Sequence, residues 1–405
     1  MALTSPPSPL SEQREGATNR LAKSPVLFSE RRFRGKADGE AIGRPTARPD
    51  LNEPEYRPKG WLRLLQTLLF LLVLPYCLGV IAFGMAWGVI GERLWVVALL
   101  VNFVPFYFLP AFVLLPLALI LRARRAALLL LPLMVAALIL YSGYFIPRTT
   151  APPDPAWSLR IIALNVSDSR HPMERIEAWL REQSADVVIL SEIPRPLEAT
   201  APRMADMYPF FAAQNRLNAV AVLSRYPIIA EEGFIYRETG YSHFPRVTLL
   251  VGDQEISLIA TSLAAPFRVQ GRILLPDVQS NLINGAWDML WGYDDDTRET
   301  EISQIIQWVD ASTIPVIIAG DMNLVERSSD YQRLSSRLVD SYRDAATGFG
   351  FTYPALEAFS LPPGLPALMR IDYVWHTRDL VTLDANYGEY VGSDHLPVMA
   401  TIGGY

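Results

Sequence analysis

The segment IPVIIAGDMNL, residues 314–324, predicts a buried strand that ends in polar side chains. Residues 316–319 are apolar and mostly β-branched, and a proline precedes them, which is typical of a strand buried on both faces. Gly320 lets the backbone bend or approach a neighbour closely. Asp321 and Asn323 lie two residues apart, so along an extended chain they point to the same side. Such a pair either caps a turn or serves a site, and the number of similar strand ends in the region decides between these two interpretations.

The surrounding region, residues 158–405, predicts a water-facing α/β domain, because strand-like apolar runs alternate with helical spacing. Strands are predicted at residues 159–166, 185–190, 218–223, 246–251, 255–260, 316–319, 371–375 and 398–402, and helices at 172–183 and 299–310.

Five of the predicted strand ends carry side chains that bind cations or move protons. These are Asn165, Glu192, the pair Asp321 and Asn323, Asp372, and the pair Asp394 and His395. One such end is ordinary, but five in one domain predict that the side chains converge at one edge of the sheet core. Their oxygen ligands favour Mg²⁺ or Mn²⁺, whereas zinc takes more histidine. His395 fits a general base whose ring Asp372 holds, so the set predicts metal-assisted phosphoester hydrolysis.

Three long apolar runs precede this domain and predict three transmembrane helices. They cover residues 64–90, 94–121 and 126–146, which are 27, 28 and 21 residues long. About 20 helical residues cross the hydrocarbon core, and these runs lack the polar face that a buried helix of a soluble protein needs. We therefore predict a transmembrane region at residues 61–147, followed by a Pro-rich linker at 148–157.

The basic residues predict the orientation of these helices. Arg57, Lys59 and Arg63 precede the first run, and residues 122–125, RARR, separate the second from the third. Basic loops stay in the cytoplasm, so we expect a cytoplasmic N-terminus and a multi-pass protein of the plasma (inner) membrane. Three crossings then place residues 158–405 in the periplasm or outside the cell.

Composition excludes several classes of protein. The single cysteine, Cys77, excludes disulfides and a cysteine-based zinc site. Residues 1–60 lack apolar periodicity, which predicts a disordered cytoplasmic tail. Residues 151–405 contain 19 basic and 33 acidic residues, a net charge of −14. That charge disfavours long nucleic acid as a partner and favours a phosphorylated small molecule or lipid, with the bilayer as the other expected partner. No protein partner can be inferred from the sequence.

Six motifs in the C-terminal region resemble those of the endonuclease/exonuclease/phosphatase superfamily, the DNase I-like fold. They are LNV (164–166), SEI (191–193), LSRYPI (223–228), GDMN (320–323), RIDYV (370–374) and SDHLP (393–397). The motifs occur in the family's order over residues 158–403, and bacterial membrane-anchored members look the most similar overall. The resemblance implies a four-layered α/β sandwich of two mixed β-sheets, here preceded by an all-α transmembrane region of three helices.

The resemblance also implies a role for each strand-end residue. Glu192 is then the principal Mg²⁺ ligand, with Asn165 beside it and Asp394 completing the metal side. Asp321 and Asn323 align the attacking water and the phosphate, and His395, paired with Asp372, is the base or the phosphate contact.

One position departs from the family's pattern. After the strand that ends near Ala260 the family carries a histidine or a tyrosine, whereas this chain has Ser262 or Leu263, neither of which is an acid at neutral pH. Either the leaving group needs no acid, or His243 substitutes with Arg246 as a phosphate contact, or the domain binds phosphorylated ligands without turnover.

The sequence thus predicts an anchored Mg²⁺- or Mn²⁺-dependent phosphoesterase that hydrolyses a phosphate ester or lipid-linked (pyro)phosphate outside the cytoplasm. The alternatives are an anchored nuclease, which predicts a basic groove, and a non-catalytic phosphate-ligand binding module.

Overall fold

The computed structural model describes residues 59–146, 154–166, 173–193, 203–214, 220–233, 244–266, 268–269, 272–273 and 292–405. Nearly all of the predicted tail, most of the predicted linker, His243 and most of residues 267–291 lie outside the described residues.

The N-terminal apolar runs form helices that pack into a bundle. These are α1 (Gly60–Ile90), α2 (Trp95–Val101), α3 (Val104–Ile120) and α4 (Arg124–Tyr141). Within the described residues, two helical segments are long and apolar enough to cross a membrane, and α2 with α3 make a third if the bent pair is one span.

The predicted run 94–121 forms two helices with a bend of 60° between them. Pro105 lies in the first turn of α3, and because proline has no N–H it cannot continue the hydrogen bonding of α2. Asn102 ends α2 by donating from Nδ2 to the carbonyls of Ala98 and Leu99, both at 3.0 Å. The predicted run 94–121 is therefore kinked, with a short helix, α2, before the bend and a longer one, α3, after it.

The outer surface of the bundle is apolar. Val89, Ile120 and Ile139 each expose three quarters or more of their side chains, while Val73 and Leu130 are fully buried between helices. An exposed apolar surface of this kind is unfavourable in water and is typical of lipid-facing helices.

The C-terminal region contains two six-stranded mixed sheets. The strands of sheet A are β1 (Trp157–Asn165), β2 (Val187–Ser191), β3 (Phe210–Gln214), β4 (Val220–Ser224), β13 (Val381–Tyr387) and β14 (Val398–Gly404). Those of sheet B are β5 (Ile228–Gly233), β6 (Pro245–Val251), β7 (Gln254–Ser262), β10 (Val316–Asp321), β11 (Leu338–Asp340) and β12 (Asp372–Thr377). Sheet A has the order β13-β14-β1-β2-β4-β3, and sheet B the order β11-β12-β10-β7-β6-β5. A separate two-stranded ribbon comprises β8 (Arg268–Val269) and β9 (Arg272–Ile273).

Three apolar cores hold these layers together. One lies between the sheets, where Ile161 and Val222 of sheet A meet Leu258 and Ile317 of sheet B. A second joins the outer face of sheet A to α5 (Met173–Gln183). A third joins the outer face of sheet B to α6 (Asp296–Ala311) and α7 (Ser329–Ser335), and the short helix α8 (Ser341–Ala345) follows β11. The order helix, sheet, sheet, helix confirms the predicted four-layered sandwich.

One end of the helix bundle contacts the sandwich directly. The Glu92 carboxylate accepts hydrogen bonds from the Ser329 backbone N at 2.9 Å and the Ser329 hydroxyl at 3.1 Å. The Gly348 N–H donates to the carbonyl of Tyr144 at 2.6 Å, just after α4. The basic loop at residues 122–125 lies at the other end of the bundle, where Gln66 near the start of α1 bonds to the Leu121 carbonyl at 2.8 Å.

Gly320 lies at a close contact between the backbones of β10 and β7, so we expect that no side chain is tolerated there. It has φ +137°, and a Cβ there would lie 2.1 Å from the backbone oxygen of Thr261. We expect Gly320→Ala to destabilise the fold by about 2 kcal/mol or more, measured as a lowered thermal unfolding midpoint in detergent. Gly252→Ala is the matched control, since Gly252 also has positive φ but no atom close to the added methyl. Equal losses for the two variants would contradict the role of the close contact.

Candidate functional site

The two sheets bring their polar strand ends to one edge of the sandwich. Asn165 ends β1 and Asp321 ends β10, and Asn165 Nδ2 donates to Asp321 Oδ2 at 3.0 Å from one sheet to the other. Both side chains are about 1% exposed. Because a buried polar group without a partner is costly, this hydrogen bond favours one alignment of the two sheets.

The Asp321 carboxylate accepts several hydrogen bonds from other protein groups at this edge. Its Oδ1 accepts from the Asn323 N–H at 2.8 Å, and its Oδ2 accepts also from Asn323 Nδ2 at 3.2 Å. Burial raises the pKa of Asp321 to about 7, with a further increase from the charge of Asp372 and an opposing effect of His395. Asn323 thus contacts Asp321 through a turn in which Asn323 is left-handed, φ +48°, rather than along the extended chain from which their common direction was expected.

Asp372 and His395 form a buried pair beside Asp321. His395 Nδ1 lies 3.0 Å from Asp372 Oδ2, and the hydroxyl of Thr352 donates to the same oxygen at 2.6 Å. Burial lowers the pKa of His395, but the carboxylates of Asp372, Asp321 and Asp394 outweigh it and raise the pKa to about 10. The pair therefore favours a charged imidazolium ring whose Nδ1 is engaged with Asp372.

Asp321, Asp372 and His395 make a group that could hold a metal ion, since one ligand atom from each lies within 4.8 Å of the others. These are the residues for which the sequence predicts catalytic roles, whereas it assigns the metal to Glu192, Asn165 and Asp394. The contact of His395 Nδ1 with Asp372 favours the orienting pair over ligation through that nitrogen.

The three predicted metal ligands lie at the same edge. Glu192 directly follows β2 in a left-handed conformation, φ +54°, and its charge raises the pKa of Asp321. Asp394 is 4% exposed, and its Oδ1 has no hydrogen-bond partner within the described part of the chain. A buried carboxylate oxygen in that state fits a cation, as does the oxygen-rich character of the set.

Two buried hydroxyls also lie at these strand ends. Ser191 pairs with Asn165 in sheet A, and Ser262 pairs with Asp321 in sheet B. Neither Oγ has a hydrogen-bond partner among the described residues. Such buried, unsatisfied groups are rare in folded proteins and mark this edge as polar and able to take a ligand.

The position that departs from the family's pattern is now defined. Leu263 is buried in the core of α6 and sheet B, so its side chain is turned away from Asp321. Ser262 is the in-register neighbour of Asp321 on the adjacent parallel strand, and such neighbours project to the same face. Ser262 therefore occupies the position at which the family carries a histidine or a tyrosine.

The two candidates for phosphate contact are not brought to this edge by the described structure. His243 lies outside the described residues. Arg246 pairs with Glu232 at 3.2 Å and lies over the ring of Trp308 at 5.6 Å, on the outer face of sheet B.

Several residues of the site carry no signal in the sequence. Tyr353 packs its ring on that of His395, with centroids 4.7 Å apart, and the Ser393 hydroxyl donates to the Asn165 carbonyl at 2.6 Å. Arg298 is fully buried and donates to the Asn323 carbonyl at 2.6 Å, supporting the left-handed turn there. Thr352, Tyr353 and Arg298 lie outside any strand-end pattern, so only the fold reveals them.

The hydrogen bond from Thr352 to Asp372 gives a test of the pair's support. We expect Thr352→Val, which keeps the shape and removes the donor, to destabilise the protein by about 1–3 kcal/mol, because a buried carboxylate loses a partner. Thermal unfolding in detergent measures it. Thr300→Val is the control, since the Thr300 hydroxyl bonds a helix carbonyl at an exposed position. An unchanged unfolding midpoint for Thr352→Val would show that Asp372 does not depend on this donor.

The family comparison matches the part of the chain that forms the sandwich. The profile of the Endonuclease/Exonuclease/phosphatase family matches residues 156–395, more than half of the chain. No curated protein sequence matches it. Solved structures that resemble it include a humanized D. rerio TDP2 with 14 mutations (16% identity, 61% of this chain and 99% of that chain, TM-score 0.46) and a truncated Caenorhabditis elegans TDP2 (15%, 62% and 99%, 0.45). An endonuclease/exonuclease/phosphatase from Bacteroides vulgatus is also similar (13%, 62% and 100%, 0.44). From the extent of the profile match, the chain belongs to the Endonuclease/Exonuclease/phosphatase family.

Proposed function

We propose that this protein is a membrane-anchored, divalent-metal-dependent phosphoesterase whose catalytic domain lies outside the cytoplasm. Members of the family are generally metal-dependent phosphoesterases or nucleases. The observation that carries the proposal is the buried cluster of Asp321, Asp372 and His395, tied to the other sheet through Asn165. Burying three ionisable groups together costs desolvation free energy, so their presence at one buried position favours a chemical role.

Glu192, Asn165 and Asp394 would hold the cation, and Mg²⁺ or Mn²⁺ suits oxygen ligands of this kind. A bound divalent cation would neutralise charge on the phosphate. The unpartnered Oδ1 of Asp394 supports this assignment, because the described chain supplies no other group to satisfy it.

The protein groups have separable tasks in this proposal. Asp321 and Asn323 lie side by side and orient the attacking water. His395 is held by Asp372 through Nδ1, so its Nε2 is the atom that meets the phosphate. The raised pKa of His395 agrees with a ring that donates to a phosphate oxygen. Of the two roles considered for His395, the phosphate contact thus has the better support.

Ser262 favours substrates with a good leaving group. A serine hydroxyl does not protonate a leaving alkoxide at neutral pH as a histidine does. A phosphate ester or lipid-linked (pyro)phosphate whose leaving group needs little help therefore fits better than a demanding substrate. The lack of an acid at Ser262 also favours the second candidate function, a phosphate-binding module without turnover.

An anchored nuclease is the weaker alternative within enzymes. Residues 151–405 carry a net charge of −14, which repels a phosphate backbone. The small phosphate ester, or a lipid that carries one, avoids that cost.

The anchoring part of the proposal is supported by the two ends of the bundle. The sandwich contacts the helix ends near Glu92 and Tyr144, and the basic loop at 122–125 lies at the opposite end. Since basic loops stay in the cytoplasm, this arrangement favours a catalytic domain in the periplasm or outside the cell, with the protein in the plasma (inner) membrane.

Turnover by the purified full-length protein tests the chemistry. We expect phosphate release from lipid phosphates, lipid pyrophosphates or nucleotides with Mg²⁺ and none with EDTA. Glu192→Gln and His395→Ala should each lower the rate by about 10²–10⁴. Glu182→Gln, at an exposed position of α5, is the control and should retain full activity.

The variants must unfold at the temperature of the unaltered protein for this result to count. Release that persists in EDTA would exclude the metal-dependent mechanism. A folded protein that binds phosphate esters without turning any of them over would favour the binding module and make Ser262 decisive.

A reporter fusion tests the orientation. Alkaline phosphatase fused after Tyr405 should be active, because the enzyme matures only outside the cytoplasm, and the same reporter fused after Arg122 should be inactive. The reverse pattern would place the sandwich in the cytoplasm.

A further inference from the structure

A loop with exposed leucines rises directly from the candidate site. Tyr353 and Met369 form an isolated bridge at its base, and the Tyr353 N–H donates to the Met369 carbonyl at 2.9 Å. On the site side, the Ala355 N–H donates to the Asp394 carbonyl at 2.7 Å, and the Tyr353 ring packs on His395. The base of the loop is thus fixed to two residues of the site.

The tip of this loop is apolar and open to solvent. We name residues 360–368, SLPPGLPAL, the leucine loop. Leu361, Leu365 and Leu368 expose 45%, 43% and 39% of their surface. Residues 358–369 contain no charged side chain. Three exposed leucines on one uncharged loop indicate a surface that has an apolar partner.

The loop lies next to the ends of the membrane helices. Leu368 and Met369 line a small cavity, about 30 Å³, together with Val101, Pro105 and Tyr144. Met369 also packs against the cluster of Val97 and Val101 in α2. The leucine loop is therefore continuous with the surface through which the sandwich contacts α2, α3 and the residues after α4.

We propose that the leucine loop rests in the interfacial layer of the bilayer and that the substrate is a lipid-linked pyrophosphate, reached from that layer. The inference deepens the proposed function and rests on it. The partner is the bilayer because the same helices that would cross it hold the loop's base at their ends. Apolar contact carries the docking, since the acidic domain gains nothing from anionic headgroups.

The reaction at the site balances without another reactant. The oxygen of water forms a bond to the terminal phosphorus of a lipid pyrophosphate, and the bond between that phosphorus and the bridging oxygen breaks. The lipid monophosphate leaves with the bridging oxygen and needs no acid, which agrees with Ser262. The released inorganic phosphate carries the water oxygen, and the two protons of the water pass to the two phosphate products. The acyl chains stay in the bilayer throughout, so the lipid need not be extracted.

Depth-dependent fluorescence quenching tests the docking without any activity. Cys77 is the single cysteine, so Cys77→Ala with Leu365→Cys allows one environment-sensitive label on the loop. In phosphatidylcholine vesicles that contain spin-labelled lipid, we expect at least threefold stronger quenching at position 365 than at Phe211→Cys. Phe211 is the matched control, an exposed aromatic residue (54%) on edge strand β3. Equal quenching at the two positions, or a crosslink between copies through position 365, would overturn the docking.

A ratio of rates tests the lipid substrate. The triple variant Leu361→Ser, Leu365→Ser, Leu368→Ser should lower the rate on a long-chain lipid pyrophosphate in vesicles, relative to a water-soluble short-chain pyrophosphate analogue, by about tenfold. Phe211→Ser should leave the ratio unchanged. A ratio unaffected by the triple variant, with quenching intact, would overturn the route from the bilayer. If the unaltered protein turned over neither substrate, the proposed function would fail, and the quenching would still decide whether the loop docks.

Discussion

The hydrogen bond between Asn165 and Asp321 depends on both sheets at once, and the site depends on it. The two sheets pack mainly through aliphatic side chains, which tolerate small shifts in their alignment. A directional bond of 3.0 Å between two buried side chains tolerates far less. Sliding one sheet by a residue would break this buried hydrogen bond between the sheets. The polar edge therefore constrains the sandwich to the arrangement in which the strand ends meet.

A second polar network links this edge to the apolar helix bundle. Arg370, two residues before Asp372, is buried and donates to Asp340 at 3.1 and 2.5 Å. Burial alone raises the pKa of Asp340, but Arg370 more than offsets it and the pKa is lowered. Arg343 bonds Glu326 and lies 3.8 Å over the ring of Tyr144, beyond the end of α4. A charge removed from this network would leave another one buried and unpaired, so the segment before Asp372 and the end of the bundle are stabilised together.

The sequence predicted the centre of this structure better than its edges. Central strands such as β10 and β1 are buried on both faces and read as continuous apolar runs, so their positions and their polar ends followed from pattern alone. The strands β3, β5, β11 and β13 were missed, because edge strands are short or expose alternate residues and their patterns are weak. The bend between α2 and α3 lies beside Pro105, where a proline inside an apolar run predicts a kink, but the size of the bend, 60°, does not follow from the sequence. Thr352, Tyr353 and Arg298 reach the site from segments that are distant in sequence, and no local pattern reports such contacts.

The way in which the sandwich is held against the bundle limits what can reach the site. The contacts at Glu92, Tyr144 and α2 are hydrogen bonds and apolar packing, and none needs a charged lipid surface. Because α2 packs on Ile371, the residue before Asp372, the site cannot move far from the helix ends without disrupting that core. In the proposed membrane-anchored arrangement, a soluble anionic substrate would have to approach an acidic domain close to a bilayer whose headgroups are commonly anionic. A lipid in that bilayer is already concentrated in the plane beside the site, so the packing of the sandwich on the bundle favours the proposed lipid substrate over a soluble one.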